Sequence, residues 1–150
     1  MERRRVVVTG LGALTPVGGD VESSWSNLLD GVSGAGDIEA FDASEFGVRI
    51  AAEVKNFDVE RYVDRKEARR MDLFIQYGVA AGVQAFEDAG LEEGLAAGDL
   101  NAERIGISIG SGIGGINTIE NNHGALMKGG PRRVSPFFIC LLYTSDAADE

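Results

Sequence analysis

Apolar residues along this chain fall into two kinds of spacing, and the two alternate. Val6, Val7 and Val8 form a short β-branched run that Gly10 ends, which predicts a buried strand. A glycine-rich loop, "LGALTPVGGD", follows. From about Val21 to Asp30 the spacing becomes helical. Val21, Trp25, Leu28 and Leu29 share one face, with Asp20 placed to cap the start and Gly31 to cap the end. Loop-rich sequence then runs to about Gly47, and "VRIAAEV" has the alternation of a short strand.

The strongest helical pattern lies in "RRMDLFIQYGVAAGVQAFEDAGL", where Met71, Phe74, Ile75, Val79, Val83 and Phe86 make an apolar stripe and Gly90 reads as the stop. Gly78 and Gly82 fall on nearly the same face. Each costs a helix about 1 kcal/mol against alanine, so a pair there predicts a second backbone passing close by. "LEEGLAAGDLNAE" reads as a polar connector and "RIGISIG" as a second buried strand. After "SGIGG" a third helix is predicted, with Ile116, Ile119, His123, Leu126 and Met127 on one face, and "GGPR" breaks it. "SPFFI" predicts another helix, capped by Ser135 with Pro136 in its first turn. The order β-α-β-α-β-α predicts an α/β sandwich with a largely parallel sheet.

Composition narrows the class. The chain has 150 residues, 44% of them apolar and 25% charged, as in a globular protein. No apolar run approaches the ~18 residues that a membrane span needs, and three valines behind "MERRR" do not make a secretory signal. A lone cysteine cannot form an internal disulfide, so a reducing, cytoplasmic setting is expected. A net charge of −10 argues against binding nucleic acid in general. The charge is uneven, however. "RYVDRKEARR" and the pair Arg132 and Arg133 are locally basic, which suits a specific acidic partner.

Two features have a chemical and a bland reading. "GSGIGG" satisfies G-x-G-x-x-G at Gly110, Gly112 and Gly115, but no later strand ends in an acidic residue about twenty positions on, as a dinucleotide fold requires. A tight turn that lets a ligand chain or backbone pass close is the favoured reading, with dinucleotide binding as the alternative. His123, the one histidine, has no acidic or cysteine partner at ligand spacing, so no metal site is expected. It reads as a core or interface residue.

Four stretches, "RRVVVTGLGALTPVG", "RKEARRMDLFIQYG", "RIGISIGSGIGG" and "NNHGALMKGGPRRVSPFFI", together carry a resemblance to the elongating β-ketoacyl-[acyl-carrier-protein] synthases of bacterial fatty-acid synthesis. The resemblance covers residues 3–139, the leading third or so of a family chain. It implies the N-terminal part of a thiolase-like, layered αβαβα fold, a homodimer, no cofactor, no nucleic-acid or membrane partner, and a decarboxylative Claisen condensation. In such enzymes a cysteine thiolate takes the acyl chain and two histidines serve the oxyanion and decarboxylation. The nucleophile sits in a "TACxSG"-like turn downstream of "SPFFI". No such turn is present here, so Cys140 is not the nucleophile, no catalytic residue is assigned, and the chain alone is expected to be inactive.

Motif by motif, the resemblance places Gly112, Ile113, Phe138 and Ile139 on the wall of a fatty-acyl tunnel, with Ile113 as the gate for long chains. It places Lys66, Arg69 and Arg70 in a docking patch for acyl carrier protein, which Arg132 and Arg133 extend. A non-catalytic partner of the chain-length-factor kind is a further alternative. Residues 140–150, "CLLYTSDAADE", can be encoded by a string resembling, base for base, a transposase-end sequencing adapter, and they are read as a non-native tail.

Overall fold

The computed structural model describes residues 5–139; Cys140 and the tail reading lie outside the described residues. The described chain divides into two compact units, residues 5–58 with 80–100 and residues 59–79 with 101–139.

In the first unit, helix α1 (Val21–Leu29) begins where predicted. Asp20 accepts hydrogen bonds from the Ser23 amide (2.7 Å) and the Ser23 hydroxyl (2.6 Å). It ends on Gly31 at φ +68°, with the Val32 amide bonded to the Asn27 carbonyl and the Gly31 amide to that of Leu28. The predicted stripe faces the other way from expectation: Trp25 is 62% exposed whereas Ser24 is 5% exposed. The polar face is turned inward, where its side chains bond to the preceding Thr15–Gly18 turn. Ser24 Oγ lies 2.9 Å from Thr15 Oγ1, and Asn27 Nδ2 donates to the Val17 carbonyl at 2.6 Å. Strands β1 (Ala35–Asp37) and β2 (Ile50–Ala52) pair antiparallel, Gly36 opposite Ala51.

The stretch read as a polar connector contains a helix, α4 (Leu91–Ala96). Its end is closed by the Asp99 amide on the Gly94 carbonyl and the Gly98 amide on that of Leu95, with Gly98 at φ +76°. The Leu100 side chain lies where a Cβ on Gly94 would go, so the helix can tuck its exit under itself only at a glycine.

Helix α3 (Leu73–Asp88) gives its second half to this unit and its first half to the other. Its buried positions are Ala80 and Gln84. The expected close backbone contact exists, but the glycines that permit it are not on the helix. A Cβ on Gly10 would stand 2.5 Å from the Ala85 carbonyl oxygen, and one on Gly12 would overlap the Ala81 carbonyl oxygen. Gly82 is exposed, and a Cβ on Gly78 would reach only Ile109, at 3.4 Å. The glycine loop thus lies down on small residues of the helix. Three hydrogen bonds fasten it: Asp88 accepts from the Leu11 amide (2.8 Å), and Gln84 accepts from the Ala13 amide (3.1 Å) and donates to the Gly19 carbonyl (2.8 Å).

The second unit holds a 3₁₀ turn (Val59–Arg61), helix α2 (Arg65–Ala68), the start of α3, a 3₁₀ turn (Ala102–Arg104), helix α5 (Ile116–Gly129) and a 3₁₀ turn (Pro131–Arg133). "GGPR" ends α5 as predicted, with Gly130 at φ +75°. "SPFFI" forms a hydrogen-bonded turn, not a helix, over its described residues.

Neither Val6–Val8 nor Ile105–Ile109 joins a ladder among the described residues, and no parallel pairing is present there. Val6 is 94% exposed and Ile107 66% exposed. A strand exists only where a neighbour takes up its amides and carbonyls. Apolar spacing marks which residues seek burial but does not supply that neighbour. His123 is exposed on α5, so of the core and interface readings the core one does not hold.

Candidate functional site

All the sequence-predicted site residues lie in the second unit. Lys66, Arg69 and Arg70 are exposed on and just after α2. This one-turn helix is held by Ala68, which is buried, and by Gln76, whose Nε2 donates to the Ala68 carbonyl (2.9 Å) and the Met71 carbonyl (3.1 Å). Those bonds satisfy carbonyls that a helix end leaves unpaired. Arg70 pairs with Glu67 at 3.6 Å and Arg65 with Glu60 at 3.4 Å, all four side chains well exposed, so the pairs are weak and easily exchanged. Among the described residues neither Lys66 nor Arg69 has a carboxylate within 4.0 Å. The patch is therefore a cationic surface with spare capacity for an external anion.

The "GSGIGG" loop is shaped locally. Ser111 Oγ accepts from the Gly114 amide at 3.1 Å, and Gly114 sits at φ +76°, a conformation that demands glycine. Gly115 is buried, while Ile113 between these glycines is 72% exposed. At Gly112 a Cβ would meet nothing within 4 Å among the described residues. The predicted tunnel residues Gly112 and Ile113 thus stand on an open loop.

Phe138 is half-buried and Ile139 exposed in the "SPFFI" turn. Ser135 Oγ accepts from the Phe137 amide (3.2 Å), and the Ser135 amide donates to Asn122 Oδ1 of α5 (2.8 Å). Arg132 and Arg133 are exposed, and the Arg133 stem lies over Gly129, where a Cβ would come within 2.5 Å of it. Arginine stems cover backbone this way while the charged head stays in water.

An open hollow of about 320 Å³ is lined by Arg69, Arg70, Asp72, Asn117, Thr118 and Asn121, with Met71 and Leu73 completing it. It brings Arg69 and Arg70 of the predicted docking patch beside the first turn of α5. Asp72 was not singled out by sequence, although an aspartate directly before a helical stripe is the ordinary cap signature. Among the described residues no group of three or more His, Cys, Asp or Glu side chains could hold a metal ion.

The family profile described as "Beta-ketoacyl synthase, N-terminal domain" matches residues 3–148. The fold is likewise similar to solved ketosynthases. The ishigamide ketosynthase/chain length factor superposes with a TM-score of 0.75 at 30% identity over 95% of this chain and 34% of that one. AntDE, a ketosynthase solved with the type II polyketide acyl-carrier protein AntF, gives a TM-score of 0.75 at 26% identity over 99% of this chain and 39% of that one. The class is therefore the thiolase-like α/β fold of ketosynthases.

Within that class the chain belongs to the β-ketoacyl synthase family, matching its N-terminal domain. Among curated relatives it is 59% identical to the 3-oxoacyl-[acyl-carrier-protein] synthase 2 of Vibrio cholerae over 139 residues. It is 49% identical to that of Staphylococcus aureus strain COL over 141 residues. These alignments cover 93% and 94% of this chain but 33% of each relative, so the chain spans about a third of their length. The family assignment replaces the dinucleotide reading of "GSGIGG", whose required preceding strand is also unpaired among the described residues.

Proposed function

We propose that residues 1–139 are the leading part of a synthase that elongates acyl chains by decarboxylative Claisen condensation, with residues 140–150 a non-native tail. The family match, at 59% identity to a relative named for 3-oxoacyl-[acyl-carrier-protein] synthesis, supports the synthase reading; the tail reading rests on the adapter-like coding string alone. In the complete enzyme a cysteine thiolate displaces the carrier thiol from an acyl thioester. Malonyl carrier protein then loses CO₂, and the electron pair left on carbon attacks the enzyme thioester and expels the thiolate. The cysteine and two histidines that do this belong to downstream sequence, so this chain alone has no condensing activity.

The chain's own share is surface and wall. Lys66, Arg69 and Arg70, with Arg132 and Arg133, form the landing area for acyl carrier protein, an acidic partner attracted by charge. The solved AntDE–AntF complex shows that a relative binds such a carrier. Gly112, Ile113, Phe138 and Ile139 form part of the acyl tunnel. The complete enzyme is a cytoplasmic homodimer that binds neither nucleic acid nor membrane. No helix among the described residues is long and apolar enough to cross a bilayer. The exposed apolar runs Val6–Val8 and Ile105–Ile109 support a missing remainder, because such surface is unfavourable in water and normally covered.

The solved ketosynthase/chain length factor favours a second reading, a non-catalytic partner on the same fold. One experiment separates the two. The complete open reading frame is recovered, expressed and assayed for CO₂ release and β-ketoacyl product from acyl and malonyl carrier protein. Condensation by the complete protein and none by residues 1–150 is expected. An open reading frame with no later cysteine turn, or one that runs naturally through "CLLYTSDAADE", would overturn the proposal.

A further inference from the structure

The first turn of α5 has no cap of its own. Its N-cap residue is Gly115, which has no side chain to accept the amide of Thr118, the third helical residue. Asp72 does so from another element. One of its oxygens, Oδ2, accepts both the Thr118 amide (2.9 Å) and the Thr118 hydroxyl (2.6 Å), while Oδ1 accepts the Leu73 amide at the start of α3 (2.6 Å). A purely local cap accepts from the second or third amide of its own helix. Here half of the carboxylate serves a helix 46 positions away in sequence.

The bonds continue in both directions. Upstream, Gln76 fastens α2 through the Ala68 and Met71 carbonyls. Downstream, Asn122 donates to the Thr118 carbonyl (2.8 Å) and accepts from the Ser135 amide (2.8 Å), which opens the "SPFFI" turn. With the Gln76 amide on the Asp72 carbonyl (3.2 Å), backbone and side-chain bonds therefore link Gln76, Asp72, Thr118, Asn122 and Ser135 within one unit. Ile113 lies five positions before Thr118 on a loop whose only other restraint among the described side chains is the Ser111–Gly114 bond.

We infer that Asp72 is a positioning residue: by capping α5 in trans it fixes the Ile113 loop, and through Asn122 the Phe138–Ile139 turn, against the segment that receives the carrier. It touches no reacting atom. The role rests on the condensing function proposed above and adds to it a device by which the docking segment sets the tunnel wall. A cap drawn from a different segment makes the wall's place depend on that segment, which a cap at position 115 would not do.

The test uses the complete synthase and measures kcat/KM for carrier protein loaded with hexanoyl and with tetradecanoyl chains. Long chains need the wall along its whole length, so the tetradecanoyl-to-hexanoyl ratio should fall about tenfold in Asp72→Asn, the size expected for losing a charge-assisted hydrogen bond. Thr118→Val should reproduce the fall, and Thr118→Ser, which keeps the hydroxyl, should restore the parental ratio within about twofold. If Asp72→Asn does not fold, the Thr118 pair reads the same contact. An unchanged or raised ratio in the Val variant, or equal losses for both substrates, overturns the inference while leaving the condensing function in place. An inactive parental synthase overturns both.

Discussion

Gln84 carries the most informative stability prediction, because one buried side chain serves two distant backbone groups. It holds the Ala13 amide at 3.1 Å and the Gly19 carbonyl at 2.8 Å. Gln84→Met keeps length and helix propensity but can neither accept nor donate in these places. Gly19 is exposed, so its carbonyl passes to water at small cost. Ala13 is half-buried, and stranding its amide costs about 1–3 kcal/mol. Burying a thioether where an amide stood returns a fraction of that, leaving a net loss of about 2 kcal/mol. The loss is local to the loop, so native-state amide exchange of the complete synthase is the assay, read by mass spectrometry on peptides spanning residues 10–19. About 2 kcal/mol corresponds to exchange roughly thirtyfold faster. Peptides from α5 serve as the control and should be unchanged. Loop exchange within threefold of the parent, or equal acceleration everywhere, would refute the view that Gln84 is what holds this loop down.

A pair of glycine substitutions should differ in sign. Gly12→Ala forces a methyl onto the Ala81 carbonyl and should destabilise by about 1–3 kcal/mol, whereas Gly78→Ala meets only Ile109 at ordinary contact and should stabilise by up to about 1 kcal/mol, both read as shifts in thermal midpoint. Reversing Arg69 and Arg70 to glutamate should raise KM for acyl carrier protein roughly tenfold at low salt, with the gap narrowing as salt is added; insensitivity to both would exclude docking there. Ile113→Phe should shorten the acyl chains accepted, measured as the loss of kcat/KM for long substrates against short ones. The Asp42 carboxyl is held below the ordinary carboxylate range by hydrogen bonds from the backbone and then the side chain of Ser44. Its turn is therefore supported at pH above that range and loses the support as pH falls through the lowered value. A carboxyl chemical-shift titration giving an ordinary midpoint would contradict this.

Local signals were readable wherever one segment satisfies itself. Asp20 and Gly31 bound α1 as the pattern required, Gly90 ends α3, and the glycines after Met127 end α5. The cationic segment around Lys66 to Arg70 is also as exposed as its composition implied. Burial was not readable. The stripe through Trp25, Leu28 and Leu29 faces solvent among the described residues while Ser24 faces inward, where it bonds to the Thr15–Gly18 turn. "LEEGLA" reads as connector by polarity yet closes into α4, because the capping bonds after Gly94 depend on a backbone turn that composition does not reveal.

Sequence by itself determined helices α1, α3 and α5 and their stops, the charge distribution and, through four long motifs, the family. Those are properties of neighbours along the backbone, where periodicity and capping act over a turn or two. Tertiary structure alone decided that Gly10 and Gly12 rest on alanines of α3, that Gln84 and Asp88 fasten that loop, and that Asp72 caps a helix far along the chain. Each of these satisfies a polar group or fills a gap left by a distant segment. Which segment arrives there is fixed by the packing of the folded chain and by no spacing within either one.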